Sequence, residues 1–122
     1  MAEPNSGLIA VVDDDEGARD SMLFLLEAIG RPAKSFAAAA DFLSAGPERF
    51  ACLVLDQHMP SMSGLELVQR LRAANIAMPI LLISGDLSPG IVERAEKLGI
   101  EYVLEKPMAF DDLSAFIAGV FD

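Results

Sequence analysis

Four chain segments end in residues that could handle a phosphoryl group. Asp13, Asp14 and Asp15 follow the apolar run 8–12, and Asp56 closes Ala51-Cys52-Leu53-Val54-Leu55. Ser84 follows the run 79–83 and Lys106 comes just after 101–104. If those runs are parallel strands, their carboxyl ends gather the carboxylates, the hydroxyl and the ammonium at one edge of a sheet, where ligands of open α/β sheets bind. Two or three carboxylates suit Mg²⁺, which keeps several waters and takes oxygen ligands at about 2.1 Å. Without a cation, clustered carboxylates repel one another and resist full ionisation. With one, a carboxylate can attack phosphorus while a cation, a lysine and a hydroxyl spread charge over the transferring oxygens.

Each of these residues also has a structural explanation. Asp15 reads more naturally as a helix N-cap or a bystander than as a ligand. Ser84, before Gly85, could satisfy a turn, and Lys106 could be a surface lysine. His58, the sole histidine, lies two residues past Asp56, where its backbone carbonyl carries more weight than its ring as a catalytic group. Cys52, the only cysteine, sits inside an apolar run and reads as an inert core residue.

The elements that must position these groups alternate along the chain. Strand candidates at 8–12, 32–36, 51–56, 79–83 and 101–104 are separated by amphipathic segments, which argues for a parallel sheet covered by helices on both faces. The first helix spans 16–29, with Ala18, Met22, Leu25, Leu26 and Ile29 on one stripe and Gly30 as its stop. A second covers 37–45 and ends at Gly46-Pro47. Ser63-Gly64-Leu65-Glu66 matches a capping box for a third, through Leu67, Val68 and Leu71. Ser88-Pro89 supplies an N-cap and first-turn proline for a fourth, ending at Leu98-Gly99. Leu113, Phe116, Ile117 and Val120 form the stripe of a fifth.

With 122 residues, 52% hydrophobic and 23% charged, the chain fits one globular domain. No apolar run approaches the ~18 residues of a membrane span. Residues 1–7 read as an N-terminal tail without the features of a signal peptide, so the expected location is the cytoplasm. Nineteen acidic residues against nine Lys and Arg give a net charge of −10, the wrong sign for binding a phosphate backbone, so no direct contact with nucleic acid is expected.

In order and spacing, Val12-Asp13-Asp14-Asp15, Asp56-x-x-Met59-Pro60-x-x-x-Gly64, Ile83-Ser84-Gly85 and Lys106-Pro107 resemble the receiver domain of two-component response regulators, over essentially the whole chain. The resemblance implies a chemotaxis-receiver-like, flavodoxin-like fold: one doubly wound five-stranded parallel sheet, order 2-1-3-4-5, with five flanking helices. It implies that Asp56 is the phosphoacceptor, with a sensor histidine kinase or phosphotransfer protein as donor. Asp14 is implied as direct Mg²⁺ ligand, with Asp13 holding a coordinated water and Asp56 and the His58 carbonyl completing the site. Ser84 matches the hydroxyl that contacts the acyl phosphate, and Lys106 the group that pairs with a phosphate oxygen. His58 and Asp86 stand where the family tunes dephosphorylation, a cis bond is implied before Pro107, and helix 4, strand 5 and helix 5 are the implied output or homodimer face.

One position departs from the pattern. Receivers carry Tyr or Phe three residues before the lysine, and this chain has Val103. Tyr102 is adjacent but belongs to the other face of a strand. A β-branched residue also has few χ1 options. The expectation is that phosphorylation of Asp56 moves the loops after strands three and four, with a weaker or different readout on the strand-five face.

Two other readings fit parts of the pattern. A haloacid-dehalogenase-type phosphohydrolase would use Asp13 as nucleophile, Ser84 as its second motif, and Lys106 with Asp111 and Asp112 later. Gly17, however, stands where that motif wants Thr or Val, and Asp56 with Met59-Pro60 would have no role. A pseudo-receiver that binds without taking phosphate lacks one of the key groups in the usual case, and all of them are present here. A chain that ends near the fifth helix fits a stand-alone regulator and a receiver cut from a longer protein equally.

Overall fold

The computed structural model describes residues 7–121, so the expected tail at 1–7 lies outside the described residues apart from Gly7. Eleven elements follow in order: β1 (Ile9–Val12), α1 (Glu16–Ile29), β2 (Ala33–Phe36), α2 (Ala39–Ala45), a 3₁₀ turn (Pro47–Arg49), β3 (Cys52–Asp56), α3 (Gly64–Ala73), β4 (Ile80–Ser84), α4 (Pro89–Lys97), β5 (Tyr102–Glu105) and α5 (Phe110–Phe121). The five strands form one sheet in the order β2-β1-β3-β4-β5, every pair parallel.

Strands β1, β3 and β4 are buried along their whole length, as expected of central strands covered on both faces. Their alternate side chains feed two cores. Ala10, Val12, Leu53, Leu55 and Leu82 pack with Phe42 of α2, Leu65, Val68 and Leu71 of α3 and Ala95 of α4. Ile9, Val11, Cys52, Val54, Leu81 and Ile83 pack with Leu26 of α1 and Leu113, Phe116 and Ile117 of α5. Burial pushes the Cys52 thiol up to about 12, which keeps it a protonated packing group.

The helix boundaries follow local chemistry. Asp15 caps α1 by accepting from the Ala18 N–H at 2.8 Å, and Gly30 ends it in the left-handed region at φ 88°. Ser63 and Glu66 form the reciprocal capping box of α3, and Ser88 caps α4. α2 starts at Ala39, two residues later than expected, because Ala38 is extended and offers no capping side chain. β4 and β5 each run one residue further than their apolar runs, since Ser84 pairs with Glu105.

At the edge opposite the carboxyl ends of the strands, Arg72 fastens three segments. Its Nε donates to the Leu98 carbonyl at 2.8 Å, and its Nη1 to the Ile76 and Met78 carbonyls at 2.9 and 3.2 Å. The end of α3, the loop into β4 and the end of α4 are thereby held by one guanidinium, whose pKa is lowered by burial.

Candidate functional site

The strand order reverses direction between β1 and β3, so the chain leaves these neighbours toward opposite sides of the sheet and opens a crevice beyond their carboxyl ends. Asp13 and Asp56 stand at that crevice. Carboxylate oxygens of Asp13, Asp14 and Asp56 all lie within 4.8 Å of one another, and they are the metal-competent cluster among the described residues. Asp15 points away into its capping bond, and Asp111 and Asp112 are exposed in the first turn of α5.

Several bonds hold this geometry. The Asp13 N–H donates to the Phe36 carbonyl, its Oδ1 accepts from the Asp15 N–H at 2.9 Å, and its carbonyl accepts from Arg19 Nη1 at 2.8 Å. Asp56 is held by the residue after it. The Gln57 N–H donates to the Ile83 carbonyl, its carbonyl accepts from the Gly64 N–H, and its buried side-chain Oε1 accepts from the Leu65 N–H at 2.8 Å. These bonds close the loop 57–64 and bring the start of α3 against the back of Asp56. Gly64 is required there: a Cβ would lie 2.8 Å from the Asp56 carbonyl oxygen and 2.9 Å from Leu82 Cδ1.

Lys106 reaches the cluster from β5, its Nζ 3.0 Å from Asp56 Oδ1. The approach is off the direction of a hydrogen bond, so this deeply buried oxygen relies on the ammonium's charge. Burial, the largest influence on Lys106, lowers its pKa, but the Asp56 contact and the charges of Asp56, Asp13 and Asp14 outweigh it and the net shift is upward. The ammonium is therefore charged at neutral pH. The Lys106–Pro107 peptide bond is cis, as expected.

Three carboxylates facing one ammonium leave the site with excess negative charge. Two full charges 4.8 Å apart repel by about 3–4 kcal/mol at an effective dielectric constant near 20. The Asp13 carboxyl shows this strain: burial first, then the charges of Asp56 and Asp14, raise its pKa against the pull of the Asp15 N–H and Lys106. A carboxyl whose pKa is higher folded than unfolded costs nothing below the ordinary carboxylate range, where both states are protonated. Its cost grows as pH rises past 3.8 and is complete above the raised value. Asp13→Asn, which can keep the bond from Asp15, should therefore raise the Tm of the metal-free protein at pH 7, and thermal melts should show the gain vanishing below about pH 4. Millimolar Mg²⁺ should reverse the order by stabilising the wild type through binding.

Ser84 is fully buried at the end of β4, and its backbone carbonyl accepts from the Lys106 N–H at 2.9 Å. Its hydroxyl donates to the Asp86 carbonyl at 2.9 Å, accepts from the Asp86 N–H at 3.1 Å, and lies 3.1 Å from His58 Nε2. That contact of the imidazole is one that reading the chain missed, and only the opposition of Asp56 to Ile83 in the sheet brings the two loops together. Val103 pairs with Leu82 and packs against the core on that face of the sheet, whereas Tyr102 faces the other core with its ring edge-on to Phe116 at 5.3 Å. A cavity of about 500 Å³ opens beside Asp13, Asp56 and Lys106, between Met22 and Leu25 of α1 and Pro107-Met108.

The family model of the response regulator receiver domain matches residues 9–118. The transcriptional regulatory protein FixJ of Azorhizobium caulinodans is 42% identical over 118 residues, covering 96% of this chain and 54% of that protein. FixJ of Bradyrhizobium diazoefficiens is 41% identical over 112 residues, covering 91% and 55%. Among solved structures, full-length FixJ from B. japonicum matches with a TM-score of 0.84 at 39% identity, over 95% of this chain and 58% of that one. The crystal structure of FixJ-N matches with a TM-score of 0.84 at 31% identity, over 94% and 93%. This chain spans about half the length of the curated relatives it matches. The sheet order, the acidic crevice and these matches agree: the chain belongs to the response regulator receiver domain family, the phosphorylation-dependent switches of two-component signalling.

Proposed function

We propose that Asp56 is the phosphoacceptor of this receiver and that a sensor histidine kinase or phosphotransfer protein is the donor. The observation that carries this reading is the meeting of three carboxylates within 4.8 Å with Lys106 Nζ 3.0 Å from Asp56. An Asp56 carboxylate oxygen attacks phosphorus, the P–N bond of a phosphohistidine breaks, and the imidazole leaves with the bonding electron pair. Lys106 balances charge on a phosphoryl oxygen, and Ser84 turns its hydroxyl to another. The oxygen-only donor set and the raised pKa of Asp13 fit a hard divalent cation. Asp13, Asp14, Asp56 and the His58 backbone carbonyl would hold Mg²⁺. When bound, the cation supplies positive charge next to the transferring oxygens.

The same chemistry extends to self-phosphorylation from small phosphodonors and slow self-hydrolysis, with His58 and Asp86 setting the lifetime of the acyl phosphate. Residues 1–122 form one receiver unit in this reading, working in the cytoplasm. Among the described residues no helix is long and apolar enough to cross a membrane. The relatives' longer chains and the net charge of −10 support output through an attached domain or protein partner, without contact to nucleic acid by this segment. The face of α4, β5 and α5, with Val92 and Phe110 exposed, is the proposed homodimer surface. Val103 at the usual aromatic switch position supports a relay that does not run through a rotating ring.

Brief treatment with acetyl phosphate and Mg²⁺, followed by borohydride trapping and peptide mapping, should label Asp56. Label on Asp13 would support the phosphohydrolase reading, and no label would support a binding module.

A further inference from the structure

The hydrogen bonds of Ser84 leave its hydroxyl no spare capacity. A serine hydroxyl has one proton to give and two lone pairs to receive with. The proton goes to the Asp86 carbonyl and one lone pair takes the Asp86 N–H. The third place falls to His58 Nε2 at 3.1 Å, which fills it in the tautomer that puts the hydrogen on that nitrogen. The ring projects from the loop after β3, while Ser84 and Asp86 belong to the loop after β4. This one contact therefore joins the two loops that flank Asp56.

A hydroxyl turning toward a phosphoryl oxygen on Asp56 has to surrender these bonds. On β5 nothing can follow it by rotation: Val103 is short and β-branched, and Tyr102 packs against Phe116 on the far side of the sheet. Among the described residues His58 is the side chain hydrogen-bonded to the Ser84 hydroxyl.

We propose that His58 is a positioning residue whose imidazole holds Ser84 in its unphosphorylated arrangement and is released when the hydroxyl turns to the phosphoryl group. The signal then emerges as a freed His58 ring and a loosened β3–α3 loop, in place of an aromatic rotation on β5. This inference rests on the reading of Asp56 as phosphoacceptor and Ser84 as its hydroxyl partner.

A single histidine makes the test direct, because ¹⁵N-histidine labelling of the intact chain gives one pair of ring-nitrogen signals. At fixed pH and without ligand, Ser84→Ala should displace the Nε2 signal from its wild-type position, and identical spectra would overturn the bond. Adding beryllofluoride with Mg²⁺ should move the wild-type signal toward the Ser84→Ala position and leave the variant's signal nearly in place. Equal movement in both proteins would assign the effect to nearby charge and overturn the proposal. The ¹⁹F spectrum separates the two readings: no bound fluoride signal in wild type counts against Asp56 as acceptor, while the ligand-free comparison still decides the His58 bond. His58→Ala keeps the backbone carbonyl and frees the hydroxyl. It should bind beryllofluoride about fivefold more tightly, the worth of one ordinary hydrogen bond; affinity equal to or below wild type would overturn the restraint.

Discussion

Asp56→Asn should take up no phosphoryl group from acetyl phosphate or from a phosphohistidine donor, a fall of at least about 10³-fold in labelling rate, the scale on which removing a nucleophile acts. The amide oxygen is a far poorer nucleophile than a carboxylate. Asp13 is a weak substitute, since its Oδ1 is committed to the Asp15 N–H and its pKa is raised, first of all by burial. The substitution should nevertheless leave the fold intact. It removes the ion pair with Lys106, whose side chain is 42% exposed and readily hydrated, and in exchange relieves repulsion from Asp13 and Asp14. Phosphoprotein gels or intact-mass spectra, with a thermal melt within a few degrees of wild type, would separate lost chemistry from lost structure. Labelling of Asp56→Asn at half the wild-type level would place the acceptor elsewhere.

The largest effect on stability should come from Gly64→Ala. At this first residue of α3 the added methyl would meet the Asp56 carbonyl oxygen at 2.8 Å, Leu82 Cδ1 at 2.9 Å and Gln57 Cα at 3.1 Å. Two of the three are backbone atoms of Asp56 and Gln57, at the end of β3, so relief requires the start of α3 to move off the sheet and strains the bonds from Gly64 and Leu65 to Gln57. Overpacking of this kind costs about 1–3 kcal/mol, which corresponds to roughly 4 °C or more of Tm per kcal/mol. Phosphorylation of the folded fraction should also slow, because Asp56 moves with its carbonyl. Gly90→Ala is the contrasting case. Its Cβ would have only Ser88 Oγ at 4.0 Å as a neighbour, inside a helix, so it should gain about 0.5–1 kcal/mol. Chemical denaturation of both variants gives the comparison; a Gly64→Ala protein as stable as wild type would show that α3 has room the contacts do not suggest.

Most of this arrangement can be read along the chain because its causes are local. Ser63-x-x-Glu66 and Ser88-Pro89 mark helix starts through bonds within one turn, and the apolar runs mark strands that must be buried on both faces. The acidic crevice is legible for a topological reason: parallel strands put every strand end on one edge. Features set by distant neighbours stay hidden. The last residues of β4 and β5, Ser84 and Glu105, are polar and become strand only by pairing with each other. The turn Pro47–Arg49 is too short to have a period. His58 reads as a backbone ligand because nothing within the loop indicates that its ring will meet a serine 26 residues away. Gln57, next to Asp56, shows how such a residue can be noticed: an amide placed where a buried strand ends has to find a partner inside, and it finds the Leu65 N–H.

The Arg72 clasp gives α4 the mechanics of a lever. Its carboxyl end is tied through Leu98 to α3 and the loop before β4, while its amino end hangs from the short segment linking Ser84 and Asp86 to Ser88. Nine helical residues make an arm of about 13 Å, so a displacement of about 1 Å at the Ser88 end turns the axis by about 4° around the Arg72 fulcrum. A shift of the Ser88 end would thus re-aim the exposed face of α4 by rotation, and cutting the clasp with Arg72→Ala would let the same shift dissipate as sliding.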